Sequence, residues 1–95
     1  MKDVGGRRIE IQILADILRL SEGGKTEIAL FANLGHRQLE KYLTLLVDYG
    51  FMEKSDGLRP PVYQVTRKGR HLLDSIDRVS ATLGLETSSM GENEG

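Results

Sequence analysis

The order of local patterns between residues 25 and 69 constrains the fold more than any other feature of this chain. An apolar pattern with helical spacing at 26–32 is followed by Asn-Leu-Gly at 33–35 and by a second helical pattern at 36–49. Asparagine and glycine tolerate the left-handed backbone that a tight reversal needs. We therefore expect two short helices joined by a tight turn.

Alternating apolar and polar residues follow the second of these helices. The segments 51–54 and 62–65 alternate, which is typical of strands. Between them, residues 55–61 contain Asp-Gly and Pro-Pro, which mark a turn and prevent a regular ladder at that point. Thr66 is a suitable N-cap for a last helix at 67–83. This part of the chain is predicted to form a β-hairpin followed by a helix.

A further helix is predicted at 8–20, because Ile9, Ile13, Ile17 and Leu20 recur at helical spacing. The complete order is that of a winged helix-turn-helix, an α+β and mainly α fold. It has a three-helix core, a two-stranded hairpin wing and, in this chain, a C-terminal helix. We expect one domain over 1–83 and a disordered acidic tail over 84–95, where apolar residues are scarce.

Composition excludes several classes of protein. The 95 residues contain no cysteine, which excludes disulfides, zinc fingers and thiol catalysis. The apolar runs are too short to span a bilayer, and no signal peptide is visible at the first residues. We expect a cytoplasmic, nucleoid-associated protein with no membrane partner.

The charge of the chain is close to neutral, so it gives no general electrostatic argument for nucleic acid. The formal net charge is -1, and the isoelectric point is about 6.1. Three of the acids, Glu86, Glu92 and Glu94, lie in the tail, so residues 1–83 sum to +2. DNA binding would therefore depend on a local basic face.

Several segments resemble archaeal winged helix-turn-helix regulators. They are 26–34, 42–46, 50–51 and the run Tyr-Gln-Val-Thr-Arg-Lys-Gly at 63–69, which is similar to that family's strand-to-helix junction. The small archaeal chromatin proteins of the 10a type belong to the same group. The resemblance implies DNA binding and dimerisation through the C-terminal helix. This chain departs from the 10a type in its short last helix and acidic isoelectric point.

The outward face of helix 36–49 is predicted to enter the major groove of double-stranded DNA. Arg37, Lys41 and Thr44 fall at helical spacing on one stripe. Arginine can bind guanine, and glutamine can bind adenine. Glu40 and Asp48 are carboxylates on the same helix and would repel phosphate. The predicted contacts on this helix are His36, Arg37, Gln38, Lys41 and Thr44.

Two further groups of cations could touch DNA. Lys54 and Arg59 belong to the wing segment 54–61, which could lie on the adjacent minor groove or backbone. Arg67 and Lys68 open the last helix, where cations oppose the helix dipole, and this suggests phosphate contact.

The last helix carries a coiled-coil seam. Leu72, Ile76, Val79 and Leu83 step by four, three and four residues. We predict a homodimer through this seam, assisted by Ile9 and Ile13 of the first helix.

Two other functions stay open from the sequence, a protein-interaction module and a general chromatin protein. Each charged stripe could also be an ordinary solvated surface. His36 and His71 have no neighbouring ligands at a metal-binding spacing. We find no enzyme signature and predict no catalytic residues, metal, cofactor or small-molecule ligand.

Overall fold

The computed structural model describes residues 9–57 and 59–84. This part of the chain contains four helices and a three-stranded antiparallel sheet of order β1-β3-β2. The elements are α1 (Glu10–Arg19), β1 (Glu22–Gly23), α2 (Lys25–Ala32), α3 (His36–Asp48), β2 (Met52–Lys54), β3 (Tyr63–Val65) and α4 (Arg67–Leu83). The predicted winged helix-turn-helix order is confirmed.

One apolar core joins the helices to the inner face of the sheet. α1 occupies its centre, because Ile17 and Leu18 are almost fully buried and α1 packs against both α2 and α4. The strands contribute alternate side chains, so Tyr63 and Val65 are buried while Gln64 is exposed. Further almost fully buried residues come from α2 and α3, among them Ile28, Ala32, Leu39, Leu43 and Leu46.

The sheet has one strand more than the predicted two-stranded wing. No strand is predicted from the sequence at residues 21–24. Ser21 ends that helix with a φ of 77°, and its carbonyl accepts a hydrogen bond from the Val65 amide. Glu22 then pairs with Gln64, and Gly23 with Tyr63. A two-residue strand is too short to show an alternating pattern, which explains why it was missed.

Several local predictions are confirmed. Asn33 adopts a left-handed backbone with φ 57° in the turn between α2 and α3, and Gly50 does so after α3 with φ 82°. The α2 and α3 boundaries lie within one residue of those predicted. Gly84, the first residue assigned to the predicted tail, is the C-cap of α4. Residues 85–95, like residues 1–8 and Leu58, lie outside the described part of the chain.

The junction between β3 and α4 is a close backbone contact with the end of α3. The Thr66 hydroxyl accepts a hydrogen bond from the Gly69 amide at 3.1 Å and donates to the Gly50 carbonyl at 2.7 Å. A Cβ at Gly69 would lie 2.2 Å from the Phe51 carbonyl oxygen and 2.8 Å from Val65. Real contacts of a Cβ are never so short, so only glycine fits at this position.

We expect Gly69→Ala to destabilise the fold by about 2–3 kcal/mol, because the added methyl group would force α4 away from Phe51. Urea unfolding followed by circular dichroism measures this change. Gly57→Ala is the matched control, since no atom lies within 4 Å of a Cβ there. Equal stability of the two variants would contradict the proposed close contact.

Candidate nucleic-acid interface

The outward face of α3 is a polar, exposed surface of the helix-turn-helix. Leu39, Tyr42, Leu43 and Leu46 fix the opposite side of the helix in the core. The short turn before α3 is closed by a hydrogen bond from the Leu34 amide to the Ala29 carbonyl at 2.9 Å. All five residues predicted on this helix are exposed, namely His36, Arg37, Gln38, Lys41 and Thr44.

Glu40, one of the two α3 acids that would repel phosphate, forms an ion pair within the protein. Its carboxylate accepts a hydrogen bond from the ammonium of Lys25, at the start of α2. This hydrogen bond lowers the pKa of Glu40 and raises the pKa of Lys25, in both cases against a smaller opposing effect of desolvation. The pair is half exposed and its two charges cancel. Glu40 therefore adds little net negative charge to the outward face.

Asp48, the other α3 acid that would repel phosphate, lies at the C-terminal end of α3, away from Arg37 and Lys41. It is exposed on the side opposite the core, as Arg37 and Lys41 are. A rise of about 1.5 Å per residue puts Asp48 about 16 Å from Arg37 along the helix axis. The outward face is therefore basic at its N-terminal half and acidic at its C-terminal end.

Lys41 has partners inside the protein. Its ammonium lies 3.5 Å from the Glu10 carboxylate at the start of α1, and 5.2 Å from the centroid of the Tyr42 ring. The Tyr42 hydroxyl also contacts Glu10, at 3.4 Å. Since the Lys41 and Glu10 side chains are 62% and 70% exposed, water and ions can reach both.

The wing carries its two predicted cations in exposed positions. Lys54 ends β2, and Arg59 lies in the loop beyond it. The base of that loop is closed by Ser55 and Val62. The Ser55 amide donates to the Val62 carbonyl at 2.9 Å, and the Val62 amide donates to the Ser55 hydroxyl at 3.0 Å. These bonds keep Arg59 on a short, closed loop.

Of the two cations that open α4, one has an internal role that the sequence did not reveal. Lys68 donates to the carbonyl of Tyr49, the C-cap of α3, at 2.8 Å, and its ammonium lies 5.1 Å from the centroid of the Phe51 ring. A cation suits a helix C-terminus. Arg67 is exposed. Lys68 therefore joins α4 to the end of α3.

The four residues of the predicted dimer seam lie in two different environments. Leu72 packs against the core and Ile76 is only 8% exposed, whereas Val79 and Leu83 are 58% and 64% exposed. The two exposed residues line an apolar groove of about 280 Å³ between α4 and the start of α1. Of the predicted α1 helpers, Ile9 lines this groove and Ile13 is buried in the core.

The side of α4 that packs on α1 is held by an ion pair. Arg19 makes two hydrogen bonds to Asp77, at 2.9 and 3.2 Å. This bidentate contact raises the pKa of Arg19 despite partial burial. It ties the C-terminal end of α1 to the middle of α4.

Three residues near these surfaces were missed by sequence reasoning. Ile11 is 52% exposed and lines the groove. The sequence signal was present, because Ile11 is an apolar residue outside the helical pattern of apolar residues that predicted α1. Glu10 and Lys25 approach α3 from distant parts of the chain, and no sequence signal pointed to them. Among the described residues, no cluster of His, Cys, Asp or Glu could hold a metal ion, and no helix could cross a membrane.

Comparisons with known proteins agree with the fold. A family model described as winged helix-turn-helix matches residues 7–83. An uncharacterised protein of Methanocaldococcus jannaschii is 37% identical over an alignment of 76 residues that covers 77% of this chain. The alignment covers 34% of the relative, so the chain spans about a third of that protein's length.

Two solved structures have a similar fold. The crystal structure of Sso10a-2, a DNA-binding protein from Sulfolobus solfataricus, matches with a TM-score of 0.76 and 26% identity, over 81% of this chain and 83% of that one. A MarR family transcriptional regulator from Silicibacter pomeroyi matches with a TM-score of 0.65 over 90% of this chain and 57% of that one. At 20% identity, the second match shows the fold alone. The archaeal resemblance predicted from the sequence is confirmed.

We expect Lys68→Met to lower stability by about 0.5–1.5 kcal/mol relative to Arg67→Met, because only the first variant loses a hydrogen bond within the protein. Both variants remove one positive charge from the first turn of α4, so their difference isolates the contact with Tyr49. Thermal unfolding without DNA measures it. Identical melting temperatures would show that Lys68 does not stabilise the end of α3.

Proposed function

This chain belongs to the winged helix-turn-helix family, and from that premise we propose that it binds double-stranded DNA as a homodimer and regulates transcription. In this proposal α3, with its cap Tyr49, enters the major groove. The wing at 54–61 lies on the adjacent minor groove or backbone. Such a protein would work in the cytoplasm, at the nucleoid.

The observation that carries the proposal is the polarity of the outward face of α3. Its N-terminal half presents the exposed side chains of Arg37, Gln38 and Lys41, which can contact base edges and phosphates. The charge of Glu40 is balanced by Lys25. Helix-turn-helix proteins use the N-terminal part of this helix for base contacts. The near-neutral charge of the whole chain is therefore compatible with a local DNA surface.

The apolar groove supports the homodimer. Ile9, Ile11, Val79 and Leu83 are each more than half exposed, and they meet along one line between α1 and α4. Two copies facing each other across this line would bury these side chains, which favours association. A two-fold axis there would give the dimer two equivalent α3 helices for two DNA half-sites.

The likeness to Sso10a-2 supports DNA as the ligand, since that protein is described as DNA-binding. A general chromatin protein and a sequence-specific regulator differ in their preference for sequence. Competition between random and selected duplexes separates them. The relative from M. jannaschii is about three times as long as the matched region. Its complete activity therefore does not transfer to this chain.

We expect this protein to bind mixed-sequence duplex DNA with an affinity that falls steeply with salt. The logarithm of the affinity should change by about -0.9 per neutralised phosphate for each unit in the logarithm of salt concentration. Fluorescence anisotropy across a salt series measures this slope. If no binding is seen at low salt, the DNA proposal is wrong, and a winged-helix module for protein interaction takes its place.

We expect Lys41→Glu to abolish DNA binding without changing the dimer, because the reversed charge lies on the face of α3 opposite the core. Arg37→Ala should weaken binding by about ten-fold, as for the loss of one good base contact. Arg78→Glu is the control for charge reversal, since Arg78 is exposed on α4. Equal losses for Lys41→Glu and Arg78→Glu would mean that α3 is not the binding face.

Val79→Glu is expected to convert the dimer to a monomer, because a carboxylate would be buried in the apolar groove without a partner. Sedimentation at micromolar concentration measures the assembly state. Leu30→Glu is the matched control. Leu30 is 77% exposed on α2, away from the groove. A wild-type protein that sediments only as a monomer would refute the dimer.

A further inference from the structure

We propose that Glu10 is a positioning residue that competes with DNA phosphate for the Lys41 ammonium. This inference rests on the proposed DNA-binding function and deepens it. It assigns to an acid on α1 a role in setting how strongly α3 holds DNA. Nothing in the sequence pattern connects these two residues.

Glu10 forms an ion pair with Lys41. One carboxylate oxygen, Oε2, lies 3.5 Å from Lys41 Nζ and 3.4 Å from the Tyr42 hydroxyl. Tyr42 is a core residue with 5% exposure, so its hydroxyl is a fixed point on α3. Glu10 is thereby kept near α3 even though its own side chain is exposed, and it draws Lys41 toward α1.

The position of Glu10 at the end of α1 also favours this arrangement. It is the first residue of the helix, where a carboxylate interacts favourably with the helix dipole. The turn is closed independently by the Ile9 amide, which donates to the Gln12 side chain at 3.0 Å. Replacing the Glu10 carboxylate with an amide therefore leaves the helix end intact. The amide can also still accept the hydrogen bond from Tyr42.

The pairing changes what Lys41 contributes to DNA binding. Phosphate that approaches the Lys41 ammonium must also approach Glu10, because the two side chains are only 3.5 Å apart. A phosphate held by Lys41 would lie within the Debye length of Glu10, about 8 Å at physiological salt, so salt screens the repulsion between them only in part. Glu10 therefore offsets part of the positive charge that Lys41 brings to the interface, in contrast to Arg37 on the same stripe. Removing the Glu10 charge makes Lys41 fully available.

A double-mutant cycle with Glu10→Gln and Lys41→Met in the full chain tests the inference. We expect Glu10→Gln alone to tighten duplex DNA binding about 3–10-fold at 100 mM salt and to steepen the log–log salt slope by about 0.9, the value for one more phosphate contact. In the Lys41→Met background, the same change at Glu10 should have almost no effect. Asp74→Asn, which removes an exposed acid from α4, is the control and should leave the slope unchanged.

Three results would overturn the inference. A gain from Glu10→Gln that persists in the Lys41→Met background would be a long-range charge effect. Weaker binding by Glu10→Gln would mean that Glu10 presents Lys41 to DNA instead of withholding it. No change in affinity or slope would mean that the ion pair does not matter in solution. In each case wild-type binding remains, so the failure differs from failure of the proposed function, in which the wild type does not bind at all.

Discussion

The contact between residues 49–51, which follow α3, and the start of α4 ties the end of α3 to the β3–α4 junction. Three successive carbonyls, of Tyr49, Gly50 and Phe51, face α4 at this point. The Tyr49 carbonyl accepts a hydrogen bond from the Lys68 ammonium, and the Gly50 carbonyl accepts one from the Thr66 hydroxyl. The Phe51 carbonyl lies against Gly69, which has no side chain. Because the first β-strand after α3 begins at Met52, the same contact fixes where the wing leaves the helical core. The relative placement of α3, the wing and α4 depends on it.

Ion pairs between elements explain how a nearly neutral domain can present a basic surface. Lys25 with Glu40 joins α2 to α3, Lys41 with Glu10 joins α3 to α1, and Arg19 with Asp77 joins α1 to α4. In each pair a negative and a positive charge neutralise each other locally. The fold therefore decides which charged side chains are left without a neighbouring opposite charge, and the net charge of the sequence does not show which they are.

Features set by a few consecutive residues could be predicted from the sequence. The left-handed turn at Asn33, the cap at Thr66 and the extent of α4 all follow from local preferences, and each is observed. Features that need two distant segments could not be predicted. β1 forms only because β3 pairs with it, and Lys68 is used within the protein only because α3 ends beside it. The helical spacing likewise placed Ile76 and Val79 together in the predicted dimer seam, although Ile76 is buried and Val79 is exposed.

The use of main-chain acceptors at the end of α3 has a consequence for how this protein can change. Every residue type carries a carbonyl, so Lys68 would find the same acceptor whatever side chain stood at residue 49. Residue 50 keeps glycine, because its backbone is left-handed with φ 82°. The outward positions of α3 take no part in that contact. Mutation or design could therefore substitute the outward residues to suit a new ligand while the domain stays folded. These residues are His36, Arg37, Gln38 and Thr44. Retargeting would require few compensating changes elsewhere in the domain.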